Sequence, residues 1–191
     1  MPPGKKIGRV FVISAPSGAG KTTVCEALLA GIKNLKRSVS VTTRAPRPNE
    51  KNARDYFYTD AKKFRQSIKK GEFLEWEENF GCLYGTPGKF VSETVKSGRD
   101  ILLSIDVKGA MQVKKALPAS VLIFLKPPSM KELARRLRGR NTDRPKEINA
   151  RLRRAKNEMK YADKYDYVIV NDRLEHAVKA IISIIKQKRR A

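Results

Sequence analysis

Residues 10–23 read VFVISAPSGAGKTT. An apolar run, Val10 to Ile13, enters a glycine-punctuated loop. Gly20, Lys21 and Thr22 then open a segment, VCEALLAGI, whose apolar residues recur at helical spacing. Strand, phosphate loop, helix is the context in which a P-loop operates. Gly18 and Gly20 permit backbone conformations closed to other residues, so successive N–H groups can converge on a phosphate. The helix start adds the positive end of its dipole. Lys21 supplies a point charge to β- and γ-phosphates, and Thr22 a hydroxyl for Mg²⁺. Ala15 stands where the strict pattern G-x-x-x-x-G-K-[ST] has glycine, and a glycine-rich turn before an ordinary helix is the plainer alternative. The preceding strand and the Gly-Lys-Thr helix start outweigh it. The stretch predicts nucleoside triphosphate binding by Ala15, Pro16, Ser17, Gly18, Ala19, Gly20, Lys21, Thr22 and Thr23.

At 191 residues the chain suits one α/β domain with a full core and small lobes inserted in it. No apolar stretch approaches the roughly 20 residues that span a bilayer. The apolar part of the N-terminus runs straight into the phosphate loop, so it reads as strand one and not as a signal peptide. Cys25 and Cys82 are isolated, with neither metal-ligand spacing nor a disulfide framework, which fits a reducing cytoplasm. The charge is unusual: 42 Lys+Arg against 19 Asp+Glu, net +23. Basic surfaces attract nucleic-acid backbones. They also focus fields that help to capture polyanionic nucleotides. Much of the excess lies between Arg135 and Lys164 and in the tail Lys186 to Arg190, without interleaved aromatics that stack on bases. The second reading is therefore favoured, with nucleic-acid binding left open.

Further along, Lys33 to Arg37 reads as a basic turn and Ser38 to Thr42 as a short strand. Arg44 and Arg47 sit on a proline-stiffened loop, either a solvated turn or a phosphate clamp. Asp55 to Tyr58 is strand-like, and Thr59 or Asp60 caps a helix through about Lys70. Glu72 to Glu77 and Phe80 to Pro87 complete a strand-rich insertion, and Gly88 to Lys96 reads as a helix. Ile101 to Ile105 is a buried parallel strand ending at Asp106. Ligands bind at the carboxyl ends of such strands, so Asp106 lies near Mg²⁺ or substrate, or else caps the next helix, Lys108 to Ala116. Val121 to Leu125 is another buried strand, and Ser129 with Glu132 forms a capping box. Two Arg-bearing helices follow, the second from about Lys146 to Ala162 carrying Arg151 and Arg154, and read as a mobile flap whose arginines close over developing charge, or as a solvated basic face. Tyr167 to Val170 reads as the last core strand, and the final helix runs from Leu174 to about Ile185 before the basic tail. His176 reads as a surface residue.

The order of these parts resembles the guanylate kinases. The stretches that carry the resemblance are SAPSGAGKTT, SVSVTTRAPRPNEKNARDYFY, FLEWEENFGCLYGT, ILLSIDVKGA, LKPPS with RRLRGRNTD, and YDYVIVND, in family order from about Val10 to Asp172. The resemblance implies a three-layer P-loop NTPase core of about 1–38, 88–135 and 152–191. It also implies a strand-rich GMP lobe of about 39–87 and a helical lid of about 136–151. The implied reaction is reversible transfer from ATP to GMP, and to dGMP alongside, with Mg²⁺ as cofactor held through Thr22 and Asp106. On the GMP side it implies Ser40, Arg44, Arg47, Glu50, Tyr56, Glu75, Tyr84, Thr86, Ser104 and Asp106. The catalytic set is Lys21, Arg44, Arg140 and Arg151, and Asn171 and Asp172 are implied adenine contacts. The arginine loop is thereby tipped toward a clamp. Independently, a carboxylate such as Glu75 accepts from both guanine N1–H and N2–H₂, whereas adenine would leave it buried and unpaired.

Three positions depart from the family pattern. Ser104 stands where many members have aspartate, Asn141 replaces glycine after Arg140, and Cys82-Leu83 replaces asparagine-tyrosine ahead of Tyr84. The expected partners are ATP and GMP, with no membrane, in a cytoplasmic monomer or small homo-oligomer. A non-catalytic guanylate-kinase-like interaction module is the rival from another class. Such modules lose the phosphate-loop and pocket residues that this chain carries.

Overall fold

In the computed structural model, residues 7–139 and 145–190 are described. In chain order the elements begin β1 (Val10–Ser14), α1 (Lys21–Gly31), β2 (Leu35–Arg37), β3 (Val41–Thr42), β4 (Phe57–Tyr58) and α2 (Ala61–Lys69). They continue with β5 (Phe73–Asn79), β6 (Cys82–Pro87), α3 (Gly88–Lys96), β7 (Asp100–Ser104) and α4 (Val107–Ala116). The last are β8 (Val121–Lys126), α5 (Met130–Arg138), α6 (Pro145–Glu158), a 3₁₀ segment Met159–Lys164, β9 (Tyr167–Val170) and α7 (Leu174–Arg190). The chain forms two compact units. One takes residues up to Val10, Asn34–Leu103 and Lys108–Ser120; the other takes Phe11–Lys33, Ser104–Val107 and the chain from Val121 onward.

The second unit is an α/β layer around three parallel strands. β1 pairs with β8 in the register Phe11↔Val121 through Ser14↔Phe124, and β8 pairs with β9 from Ile123↔Tyr167 to Lys126↔Val170. β1 and most of β8 are buried on both faces, as near-continuous apolar runs in parallel sheets are. β9 differs from the expected core strand. It is an edge with alternating burial, and Val168 and Val170 remain exposed on its outer face. α7 packs on α1 and β9 through Ala177, Ile181, Ile184 and Ile185, a stripe at helical period. It runs through Arg190, so the basic stretch Lys186–Arg190 continues the helix beyond Ile185. Lysine and arginine are good helix formers, and cations at a helix C-terminus complement its dipole.

α5 and α6 form a hairpin whose seam is Leu133, Leu137, Ile148 and Ala155, with Leu152 packed alongside. Ser129 Oγ accepts the Glu132 N–H at 3.1 Å, one half of the predicted capping box. The Glu132 carboxylate turns instead to Arg135 at 2.7 and 2.8 Å and Arg136 at 2.8 Å. Those two arginines hold its carboxyl down at about 2.

In the first unit β2 pairs in parallel with β7, Leu35↔Asp100 to Arg37↔Leu102. This corrects the predicted basic turn: Leu35 is buried and anchors a strand whose other two residues are polar. The predicted strand over Ser38–Thr42 shrinks to Val41–Thr42, because the Ser38 N–H still continues the β7 ladder to Leu102 O at 2.9 Å. A second sheet has the order β4-β3-β6-β5. Its β5–β6 hairpin turns at Phe80 (φ 51°) and Gly81 (φ 74°), the two left-handed positions of a type I′ turn. Phe64 and Phe73 stack at 4.5 Å under it. There is no room there for a side chain at Gly85, whose Cβ would lie 2.9 Å from Phe73 and 3.0 Å from Phe64. Asp60 caps α2, accepting the Lys63 N–H at 2.8 Å. α4 closes the outer edge of β5: Gln112 donates to Trp76 O at 2.9 Å and accepts from Trp76 N at 3.3 Å. Lys108 pairs with Glu77 at 2.8 Å beside it. A carboxamide thus does for the edge backbone what another strand would.

Candidate active site

In the second unit the chain leaves β1 through Ala15–Gly20. Gly18 and Gly20 have φ of 92° and 91°. A Cβ on Gly18 would meet Leu137 Cδ2 at 2.8 Å, and one on Gly20 would meet Asn171 Nδ2 at 2.5 Å. Conformation and space both require glycine there. Gly20 is also the α1 N-cap and supplies no capping side chain, so the first-turn N–H groups keep the donor capacity that an anion uses. Lys21 Nζ donates to Ile105 O at 2.9 Å, and Ser14 Oγ donates to Asp106 O at 3.2 Å. The lysine and the Asp106 segment therefore meet at the carboxyl end of the strands. Strand β7 stops at Ser104, two residues short of Asp106, which immediately precedes α4.

α6 addresses the same loop. Arg151 Nη1 donates to Ser17 Oγ at 3.3 Å, and Arg154 Nη2 lies 3.6 Å from Asp106 Oδ2. Arg154 Nε donates at 2.7 Å to Oε1 of Glu158, a carboxylate only 7% exposed. Burial pushes that carboxyl up against the opposing pull of Arg154. Asn171 is buried and donates from Nδ2 to Ala19 O at 2.7 Å, while its own carbonyl accepts from Arg136 at 3.1 Å. Arg136 also reaches Asp172 O at 3.5 Å. Asp172 itself is exposed and capped by the Arg173 N–H at 2.6 Å. His176 is likewise exposed, 3.5 Å from Asp172.

In the first unit the proline-rich loop is folded around one carboxylate. Arg44 Nη2 donates to both Glu50 oxygens at 2.8 Å, and its Nη1 to Ala45 O at 2.7 Å. Glu50 also accepts from the Arg47 N–H at 2.9 Å and the Tyr58 hydroxyl at 2.8 Å. Partial burial pushes the Glu50 carboxyl up, but the bonds from Arg47, Arg44 and Tyr58 outweigh it and leave it below its ordinary value. The Tyr58 hydroxyl is driven up to about 12 by burial and then by Glu50. The guanidinium of Arg44 stands 5.5 Å over the Tyr56 ring, and Tyr56 meets Tyr84 edge-on at 6.0 Å. Arg44, Tyr56 and Tyr84 thus form one cluster with a fixed guanidinium, while the Arg47 residue is exposed. Glu75 and Thr86 face each other across the β5–β6 ladder. Thr86 Oγ1 donates to Glu75 Oε1 at 2.5 Å, and Glu75 is 5% exposed. Ser40, just ahead of β3, accepts the Phe57 N–H at its backbone carbonyl at 2.9 Å.

Comparison with known proteins decides the family. A sequence profile described as Guanylate kinase matches residues 7–188. The chain is 45% identical over 179 residues to the guanylate kinase of Dechloromonas aromatica, spanning 94% of this chain and 89% of that one. It is 47% identical over 182 residues to that of Syntrophomonas wolfei, with 95% and 93% covered. Its fold superposes on the crystal structure of guanylate kinase from Anaplasma phagocytophilum with a TM-score of 0.82 at 37% identity, over 98% of this chain and 89% of that one. The chain belongs to the guanylate kinase family.

Set against this guanylate kinase fold, the residues singled out from sequence fall into two groups. The phosphate loop, Lys21, Thr22, Ser104, Asp106, Arg151, Asn171 and Asp172 lie in the second unit. Ser40, Arg44, Arg47, Glu50, Tyr56, Glu75, Tyr84 and Thr86 lie in the first. Arg140 and Asn141 lie outside the described residues. Sequence reasoning left out Tyr58, which braces Glu50, and Glu158, which holds Arg154; Arg154 itself reads from sequence only as one of the arginines of the flap helix. Tyr58 was legible as the aromatic two residues beyond Tyr56, on the same face of a strand. Glu158 had a fainter signal, an acid three residues beyond Ala155 on the apolar stripe of α6. Thr22 and Asp106 are hard oxygen donors, the type Mg²⁺ takes when phosphates supply most of its shell. Among the described residues no group of three or more His, Cys, Asp or Glu side chains is arranged to hold a metal. No helix among them is long and apolar enough to cross a membrane.

Proposed function

We propose that this protein is an ATP:GMP phosphotransferase, converting ATP and GMP to ADP and GDP with Mg²⁺ and accepting dGMP alongside GMP. The observation that carries the reading is the buried Glu75 carboxylate, fixed by Thr86 in the same unit as an Arg44–Tyr56–Tyr84 cluster. The phosphate loop supplies the donor side. A carboxylate takes guanine N1–H and N2–H₂ together, and a guanidinium braced by tyrosines takes a phosphate.

The chemistry asks little covalent work of the protein. The attacking oxygen of GMP phosphate is already anionic, so transfer depends on alignment and on compensating the charge that develops. Lys21 and the loop N–H groups hold the β- and γ-phosphates, and Arg44, Arg140 and Arg151 compensate charge around the moving group. Arg44 leaves Glu50 for the acceptor phosphate, with Tyr58 still bracing that carboxylate. Mg²⁺, when bound, neutralises charge on the β- and γ-phosphates, with Thr22 and Asp106 as its protein ligands. Asn171 and Asp172 flank the adenine. We infer that residues 39–87 act as a GMP lobe and 136–151 as a lid, excluding water from the transfer. The high positive charge favours capture of both polyanions. Incubation with ATP, Mg²⁺ and GMP, followed by ³¹P NMR, tests the assignment: paired GDP and ADP resonances are expected. Release of inorganic phosphate without GDP would refute it.

A further inference from the structure

Arg154 lies on α6, close to the strand end where the phosphate-loop lysine has its partner. It lies three residues beyond Arg151 on α6, and Arg151 reaches Ser17 of the phosphate loop at 3.3 Å. Its own guanidinium stands 3.6 Å from Asp106 Oδ2, next to Ile105, whose carbonyl takes the Lys21 ammonium at 2.9 Å. Arg154 therefore converges on the place where the phosphate-loop lysine ends. One turn further on, Glu158 grips Nε at 2.7 Å. Its other oxygen, Oε2, is buried with no hydrogen-bond partner among the described residues. A buried carboxylate with half its acceptor capacity unused is costly. If the only need were to anchor α6, an apolar side chain in the Leu133–Leu137–Ile148–Ala155 seam would serve as well or better, since replacing buried ion pairs by apolar groups is often neutral or stabilising. What a charged pair adds is orientation. Held at Nε, the guanidinium presents its Nη edge, the edge that faces Asp106 and fits phosphate oxygens in pairs.

We propose that Arg154 is a further phosphate-contacting arginine of the transfer step, and that Glu158 is the positioning residue that aims it. The inference rests on the kinase reading above. Arg154→Gln keeps the packed stem and a good helix former but removes the charge. Glu158→Gln keeps one acceptor for Nε. Initial rates with ATP, Mg²⁺ and GMP over both substrate ranges, with thermal melts in parallel, test the pair.

Arg154→Gln is expected to lower kcat roughly 10²-fold, the scale of losing one donor to developing charge. Glu158→Gln should lower kcat about 10-fold with KM for GMP unchanged. Because Glu158 acts through Arg154, the double variant should be no slower than Arg154→Gln alone. A kcat for folded Arg154→Gln within about 3-fold of the unaltered protein would overturn the proposal, as would losses that multiply in the double variant. If Arg154→Gln melts below the assay temperature, Glu158→Gln decides alone, and an unchanged kcat overturns it. Failure of the unaltered protein to phosphorylate GMP would sink the kinase reading instead.

Discussion

Replacing Glu75 by glutamine is nearly isosteric, so its effect isolates charge and acceptor count. Glu75 is 5% exposed, and one oxygen already accepts from Thr86 at 2.5 Å. Glutamine in the same rotamer keeps its carbonyl on Thr86 and turns an –NH₂ toward the base, where guanine presents donors only. Two terms follow. A charge-assisted bond worth about 1.5–3 kcal/mol is lost, and a buried donor left without an acceptor costs about 1–3 kcal/mol. Together they give about 2.5–6 kcal/mol, or roughly 10²- to 10⁴-fold in kcat/KM for GMP. KM for ATP should stay within about 3-fold, since the phosphate loop is untouched. The melting temperature should hold or rise, because a buried charge is gone. Steady-state kinetics by coupled ADP detection, with a melt on the same sample, checks all three. A GMP kcat/KM reduced less than about 5-fold would refute the reasoning, and so would equal losses for GMP and ATP.

Other consequences are independent of that pocket. Gly20→Ala forces a side chain into φ 91° and against Asn171 Nδ2, and breaks the Asn171–Ala19 bond. A cost of about 2–4 kcal/mol is expected, seen as a melting point lower by about 5–15 °C together with lost ATP binding. Phe80→Asn places a residue tolerant of left-handed backbone in the type I′ turn, and should raise the melting point by about 1–4 °C by calorimetry. Glu132→Gln tests a pH window. The folded-state carboxyl lies at about 2 against an ordinary 4.5, held by Arg135 and Arg136. Its contribution is therefore present above pH 4.5 and lost as pH falls through 2. The melting-point gap between the unaltered protein and the variant should close over that interval.

What the sequence disclosed depended on whether the determining chemistry was local. Gly20-Lys21-Thr22, the Asp60 cap and the Ser129 cap are set by neighbours within four residues, and each was legible. The stretch Leu35–Arg37 was not: with two basic residues in three it is a strand only because β7 offers a partner and Leu35 a buried anchor. The tail Lys186–Arg190 gave no apolar signal beyond Ile185, yet continues α7 because its residues favour helix and its charge suits that terminus. In the site, individual residue types could be picked out, but not how they are engaged. The Glu50 carboxylate occupying Arg44, the Asn171 amide pinning Ala19, and Glu158 turned inward from a string of charges are tertiary facts. They arise where distant segments meet, and hydrophobic periodicity carries no trace of them.

The central claim is that this protein moves the γ-phosphoryl group of ATP to GMP and selects guanine. It is tested most directly by following ADP while GMP, dGMP, AMP, CMP and UMP are offered in turn with ATP and Mg²⁺. Turnover with GMP and dGMP, and AMP weaker by roughly 10⁴-fold, is the predicted result. Comparable turnover of AMP would contradict Glu75 as the selector. No turnover of GMP by protein that melts cooperatively would contradict the account as a whole.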